Sequence, residues 1–265
     1  MSKKAIEFKI SHKELDFKRM SLDELNQLPP FVGIYNYTIS MTSFLMLCVY
    51  NDDSSIVKHF WRGSHELLEL DIWYEISKNK GTFIDVGAHT GLYPITSLKA
   101  NSKNDLVCIE PDFMNLSRLI TNLRLNKFLR VKTILGAASN FDGKSKFKKT
   151  TTKSILGQGG KIGSEGIETN VNKLDTLFFE KITKKLNAIK IDTEGSDYDV
   201  LLGAENLIDQ FKPKILIEVR EENKMEIANF LKSKSYKIYN VKNTNKEFDY
   251  EKDKIKKVIN IYATL

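Results

Sequence analysis

Cysteine is nearly absent: 265 residues carry only Cys48 and Cys108. Two thiols cannot supply a disulfide framework, and Cys108, inside the apolar run Leu106–Ile109, reads as buried filler. Histidine is also sparse, four in all, and with no cysteine at zinc-ligand spacing a zinc site is not expected. No segment reaches 18 apolar residues, so no membrane-spanning helix is expected. Ser2–Lys9 lacks the apolar run of a secretion signal, and the cytoplasm is the expected location. One glycine is missing where it matters. After the apolar segment Thr82–Val86 the turn reads G-x-x-x-G over Gly87 and Gly91, with His89 where a dinucleotide fingerprint needs its middle glycine. A pyrophosphate cradle, and with it an NAD-dependent oxidoreductase, is poorly supported.

What is present is enough for one large domain, or one domain with a modest appendage. Hydrophobic residues make up 41%, sufficient for a core, and the formal net charge is +7. That charge favours solubility and attracts anions without marking a nucleic-acid binder. The chain is organised around Thr82–Gly91, TFIDVGAHTG. It reads as the first strand–turn–helix of an open α/β sheet, where a ligand sits beyond the strand's carboxyl end. Asp85 is expected to face that ligand, and Gly87, Ala88, His89 and Gly91 to form the turn beneath it. A second strand, Leu106–Ile109, ends in Glu110, a carboxylate that can accept from both hydroxyls of a ribose. A nucleoside cofactor without phosphates, S-adenosylmethionine (SAM), fits these features; the alternative is that Asp85 and Glu110 merely cap a strand and a helix.

The alternation continues with helix Leu92–Lys99, helix Asp112–Asn126 and strand Val131–Leu135, after which Ala138 and Ser139 are placed to line an adenine pocket. Residues 1–80 read as an N-terminal cover on the sheet and part of an acceptor pocket. Within them Ser21 and Glu24 predict a capped helix over Leu22–Leu28. Phe44–Tyr50 and Ile56–Trp61 read as an antiparallel strand pair, and Glu66–Lys78 as a helix. Residues 81–265 form the cofactor domain. They are interrupted at 141–171 by a basic cluster (Lys144, Lys146, Lys148, Lys149, Lys153) and five glycines between Gly157 and Gly166. That stretch reads either as a solvated mobile or hairpin-like loop or as an anion-binding flap. Strand Ala188–Ile191 then delivers Asp192 and Glu194. A helix follows from Ser196 through Ile208, then strand Lys214–Val219 with Glu218 near its end, a helix over Glu221–Ser233, and the final strands Tyr236–Val241 and Lys257–Tyr262.

Asp192 and Glu194 lie just past a central strand and should face the same crevice as Asp85. Three roles are open: general base for an acceptor hydroxyl, ligands with Glu218 for a divalent cation, or contact from Asp192 to the SAM ammonium with Glu194 ordering the loop. His89 is a candidate for acid–base work or for cofactor contact.

These motifs in order resemble the FkbM family of SAM-dependent methyltransferases, also described as Methyltransferase 21. The resemblance rests on IDVGAHTG at Ile84–Gly91, CIEPD at Cys108–Asp112, VNKLDTL at Val171–Leu177, IKIDTEG at Ile189–Gly195, VLLGAENLI at Val200–Ile208 and KPKILIEV at Lys212–Val219. It covers roughly residues 60–241. Thr193 stands where the family often has an aliphatic residue, and His89 where asparagine is common. The resemblance implies a class I Rossmann-like α/β fold, a mostly parallel sheet with a C-terminal antiparallel strand and helices on both faces. It implies O-methylation, largely of sugars, polyketides and related metabolites. Asp85, Gly87 and Gly91 would form the SAM turn, Glu110 would bind ribose, and Asp192 with Glu194 would sit at the acceptor side. The expected function is therefore O-methylation of a sugar or glycan, with an anionic acceptor suiting the lysines. RNA ribose 2′-O-methylation and a catalytically silent SAM-binding protein are the competitors.

Overall fold

The computed structural model describes residues 2–149, 156, 159–180, 182, 185–255 and 258–265. Lys153 and Gly157 of the basic, glycine-rich stretch lie outside the described residues. The N-terminal segment forms α1 (Ser2–Ser11), α2 (Leu22–Gln27), β1 (Gly33–Thr38), β2 (Ser43–Cys48), α3 (Ser54–Arg62) and α4 (Leu67–Ser77). The capping box before α2 is present in full: Ser21 Oγ accepts from the Glu24 amide and the Glu24 carboxylate accepts from the Ser21 amide.

The expected strand over Ile56–Trp61 is helical instead, as α3. Asp53 accepts from the Ser55 and Ile56 amides at 3.0 and 3.3 Å and caps it. Ile56, Val57, Phe60 and Trp61 then fall four apart on one buried face. β2 pairs with β1, not with that segment.

The chain continues with β3 (Thr82–Val86), α5 (Leu92–Ala100), β4 (Asp105–Glu110), α6 (Phe113–Leu125), β5 (Lys132–Leu135), β6 (Ala137–Ala138), β7 (Gly143–Lys149), β8 (Gly160–Gly163) and β9 (Ile167–Asn172). It continues with α7 (Leu174–Phe178), β10 (Leu186–Ile191), α8 (Asp197–Leu202), α9 (Glu205–Phe211), β11 (Lys214–Arg220), α10 (Lys224–Ser233), β12 (Lys237–Asn240), β13 (Asn243–Glu247) and β14 (Val258–Thr264). The central sheet has the order β13-β12-β14-β11-β10-β3-β4-β5. β5, β4, β3, β10 and β11 are parallel, while β14 enters antiparallel between β11 and β12. This is the class I Rossmann-like methyltransferase topology. The strand order reverses between β3 and β10, and that switch point opens the crevice beyond their carboxyl ends.

Alternation along β3 and β4 builds two cores. Phe83, Leu106 and Cys108 face α5, α6 and the N-terminal segment, sharing one cluster with Trp61, Trp73 and Phe44. Ile84, Val86, Val107 and Ile109 face the other way, onto α7–α10. The N-terminal segment thus shares a core with one face of the sheet.

The region 141–171 contains regular structure. β7 and β8 form a hairpin, and with β6 and β9 they make a separate four-stranded sheet. The helix expected from Ser196 through Ile208 is broken into α8 and α9. Gly203 lies so close to the 138–140 segment that a Cβ there would sit 2.0 Å from the Ser139 carbonyl oxygen.

Candidate functional site

A cavity of about 240 Å³ opens at the switch point. Its floor is the turn after β3. The Gly87 and Ala88 amides donate to the Ile109 carbonyl at 2.9 and 3.1 Å, which ties the turn to the end of β4. Gly87 has φ +76°, and a Cβ there would lie 1.8 Å from the Asp192 carbonyl oxygen, so only glycine lets β3 and β10 end side by side. His89 also has a left-handed backbone, φ +46°. Its amide donates to Glu110 Oε2 at 2.9 Å. Glu110 Oε1 accepts from the Asp112 amide at 3.0 Å and Asn115 Nδ2 at 3.4 Å. Burial pushes the Glu110 carboxyl above its ordinary pKa, opposed by His89 and these hydrogen bonds. A carboxylate has about four acceptor positions, so Oε2 keeps room for a hydroxyl donor. Beside Glu110, whose carbonyl accepts from the Gly136 amide at 3.2 Å, Gly136, Ala137 and Ala138 make a wall with almost no side chain.

Lys190 is the residue that sequence reasoning passed over. It sits 5% exposed in a strand whose six residues are all buried. Its Nζ lies 3.2 Å from Asp192 Oδ2, 3.4 Å from the Gly87 carbonyl and 3.7 Å from Asp85 Oδ1, with the Tyr93 ring 4.5 Å away. Burial lowers its pKa, but Asp192, Asp85 and Glu66 outweigh burial and hold it raised and charged. A lysine inside an otherwise apolar strand was the available signal.

Three expected cofactor contacts are placed elsewhere. Asp85 is fully buried beneath the floor and does not line the cavity. It is the counter-ion of Lys190, its carboxyl pushed up to about 6 by burial against the pull of Lys190. Gly91, φ +99°, starts α5 behind the turn. Ser139 is 1% exposed and engaged through its amide with Asn172 O, so the wall stops at Ala138.

Asp192, Glu194 and Glu218 line the other end of the cavity. The Asp192 amide donates to Val86 O at 3.1 Å. The loop behind it is held by Asp197, which accepts from the Thr193 amide, Thr193 Oγ1 and the Gly195 amide at 2.8, 3.0 and 3.1 Å. Thr193 thus uses its hydroxyl as a loop clamp. Arg220 Nη2 bridges Glu194 Oε2 at 2.7 Å and Glu218 Oε1 at 2.6 Å. Burial, reinforced by Asp192 and Glu194, pushes Glu218 up to about 8 against the pull of Arg220. Glu194 is raised as well, chiefly by burial. This donor set does not fit a divalent cation: a guanidinium already bridges two of the three carboxylates. Among the described residues no group of three His, Cys, Asp or Glu could hold a metal ion.

Two further walls come from outside the sheet. Phe147 and Ile162 of the β7–β8 hairpin cover one side, and Lys149 at the end of β7 pairs with Asp112 at the start of α6. Lys144 pairs with Glu168 of β9 at 2.7 Å and Lys148 with Glu165 of the β8–β9 turn at 2.5 Å, so these two lysines are paired within the four-stranded sheet region. The N-terminal segment supplies Ser54, Ser55, Lys58, His65 and Glu66. Glu66 accepts from Tyr93 Oη at 2.9 Å and lies 3.1 Å from His65 Nε2.

No helix among the described residues is long and apolar enough to cross a membrane. No curated protein matches the chain. Among solved structures the chain is similar to methyltransferase FkbM from Methylobacillus flagellatus, at 18% identity and TM-score 0.47, covering 79% of this chain and 53% of that one. It thus spans about half the length of that protein. It is also similar to M. jannaschii TYW2 in complex with AdoMet, at 13% identity and TM-score 0.47, covering 89% and 86%. An rRNA methylase from Streptococcus thermophilus has 10% identity and TM-score 0.46, covering 74% and 93%. The Methyltransferase FkbM domain profile matches residues 85–238, from the acid of β3 to the second residue of β12. With more than half of its length matched, the chain belongs to the FkbM methyltransferase domain family.

Proposed function

We propose that this protein is a cytoplasmic SAM-dependent O-methyltransferase whose acceptor is a hydroxylated molecule of the sugar or glycan class. One observation carries the reading. A single cavity joins a nucleoside-sized cradle, Glu110 beside Gly136–Ala138, to a cluster of carboxylates, Asp192, Glu194 and Glu218, by way of the turn Gly87–Thr90. The small-residue wall and the spare acceptor position on Glu110 fit adenosine, and the acid-rich end fits a sulfonium.

SAM, when bound, supplies an electrophilic methyl group. The chain's own task is to align the acceptor oxygen and take its proton. Lys190 holds Asp192 at the edge of the turn, where the carboxylate can accept from an acceptor hydroxyl. Glu218, with its pKa raised to about 8, is the carboxylate best matched to removing the proton, since a base of higher pKa competes better for it. Arg220 fixes Glu218 and Glu194 against each other. His89 lies on the ribose side of the cavity and belongs with cofactor contact.

RNA as acceptor is disfavoured by the internal pairing of Lys144, Lys148 and Lys149, which leaves less of the continuous basic groove that a phosphate backbone needs. A silent SAM-binding role is disfavoured by Asp192 and Glu218 at the acceptor end. Incubation with methyl-labelled SAM and panels of sugars, glycans, polyketides and RNA, read by mass spectrometry, tests this function. Transfer of label to an alcohol oxygen of a sugar supports it, and label on RNA alone refutes it.

A further inference from the structure

The far end of the cavity has a wall that belongs to no part of the family match, and its chemistry is two-signed. Ser54 and Ser55, the first two residues of α3, are more than nine-tenths buried yet line the cavity. Neither hydroxyl has a hydrogen-bond partner among the described residues. Asp53 already takes the Ser55 and Ile56 amides, so what this helix offers a ligand is side-chain donors. One turn on, Lys58 also lines the cavity and makes no ion pair or hydrogen bond among the described residues. Lys190, the other lysine there, is spent on Asp85 and Asp192. Burial lowers the pKa of Lys58, with Glu66 and Glu194 opposing. Lys58 therefore stands within the field of three carboxylates, Glu66, Glu194 and Asp53, without an ion pair to any of them among the described residues. An amine and two hydroxyls that line the cavity without a protein partner are donors open to a ligand's acceptor oxygens.

We infer that Ser54, Ser55 and Lys58 form the seat for the α-carboxylate of the cofactor's methionine end, with Glu66 and Glu194 facing its α-ammonium. A zwitterion needs opposite charges a few ångströms apart, and this is the part of the cavity where an uncommitted cation stands between acids. The inference rests on the SAM reading of the cavity and deepens it. The N-terminal segment becomes part of the cofactor site rather than a cover over it.

The test compares two probes by calorimetric titration on the full chain: S-adenosylhomocysteine, and 5′-methylthioadenosine, which lacks the amino-acid end. Lys58→Gln should weaken S-adenosylhomocysteine about 10- to 100-fold, as expected for one buried charge-assisted hydrogen bond. It should leave methylthioadenosine within about twofold. Lys58→Arg should recover part of the loss. The double variant Ser54→Ala/Ser55→Ala should show the same selective weakening on a smaller scale, and it keeps the test open should Lys58→Gln fold poorly. Equal weakening of both probes, or of neither, overturns the inference while leaving the SAM reading standing. Failure of the unaltered protein to bind either probe overturns both.

Discussion

Gly87→Ala isolates the contact on which the cavity floor is built. Two penalties arise there. The first is backbone: a non-glycine residue at φ +76° costs about 1–2 kcal/mol. The second is steric: the new Cβ would start 1.8 Å from the Asp192 carbonyl oxygen, so two backbone segments must part by more than about 1 Å, an overpacking cost of about 1–3 kcal/mol. The segment that must yield carries the Asp192 amide bonded to Val86 O. Gly63→Ala is the control. Gly63 has almost the same backbone, φ +78°, but nothing lies within 4 Å of its Cβ position, so it meets only the first penalty. For a chain of this length each kcal/mol moves the melting temperature by about 2 °C. Gly63→Ala should therefore lose about 2–4 °C and bind S-adenosylhomocysteine normally. Gly87→Ala should lose about 4–10 °C and bind it at least tenfold more weakly. Scanning calorimetry and titration read both. Equal melting temperatures for the two variants, or unchanged binding by Gly87→Ala, would refute the claim that this close approach shapes the floor.

Three other perturbations follow from the buried charges. Lys190→Met strands Asp85 without a counter-ion and should cost about 3–5 kcal/mol in urea unfolding; Asp85→Asn in the same chain should restore part of it, and a purely additive double variant would contradict the pairing. Asp85 titrates near pH 6 in the folded protein against 3.8 in its ordinary state, so the folded form binds the extra proton between those values. Its contribution to stability therefore falls as pH rises from about 4 to 6, by about 3 kcal/mol in all. Unfolding curves of Asp85→Asn should lack that slope, and an identical slope in both proteins would remove Asp85 as its source. If Glu218 takes the acceptor proton it must first lose its own, so turnover should climb as pH rises through about 8. Glu218→Gln should lower kcat by about 100-fold or more and flatten that limb, whereas an unchanged profile would pass the role to Asp192.

The cradle was readable because its determinants are local. β3, the Gly87 turn, α5 and Glu110 at the end of β4 all lie within Thr82–Glu110, and each is set by alternation, glycine or a strand-end acid. Ile56–Trp61 was misread because a short apolar run has no decisive period, and the deciding residue was the cap, Asp53. Glu218 was noted only as a metal ligand; Arg220, which occupies that place, stands two residues further along the same strand.

Sequence alone determined the alternation of strands and helices from β3 to β5, the acid that ends β4 and the family, since neighbouring residues and ordered motifs encode them. Only the tertiary structure decided the charges of the cavity. Lys190 is balanced by Asp85, Asp192 and Glu66 from three separate segments, and Ser54 and Lys58 reach the site from a helix more than 20 residues before the family match begins. A buried charge is fixed by whichever partners share its low-dielectric space, and that sharing comes from packing across the fold rather than from spacing along the chain.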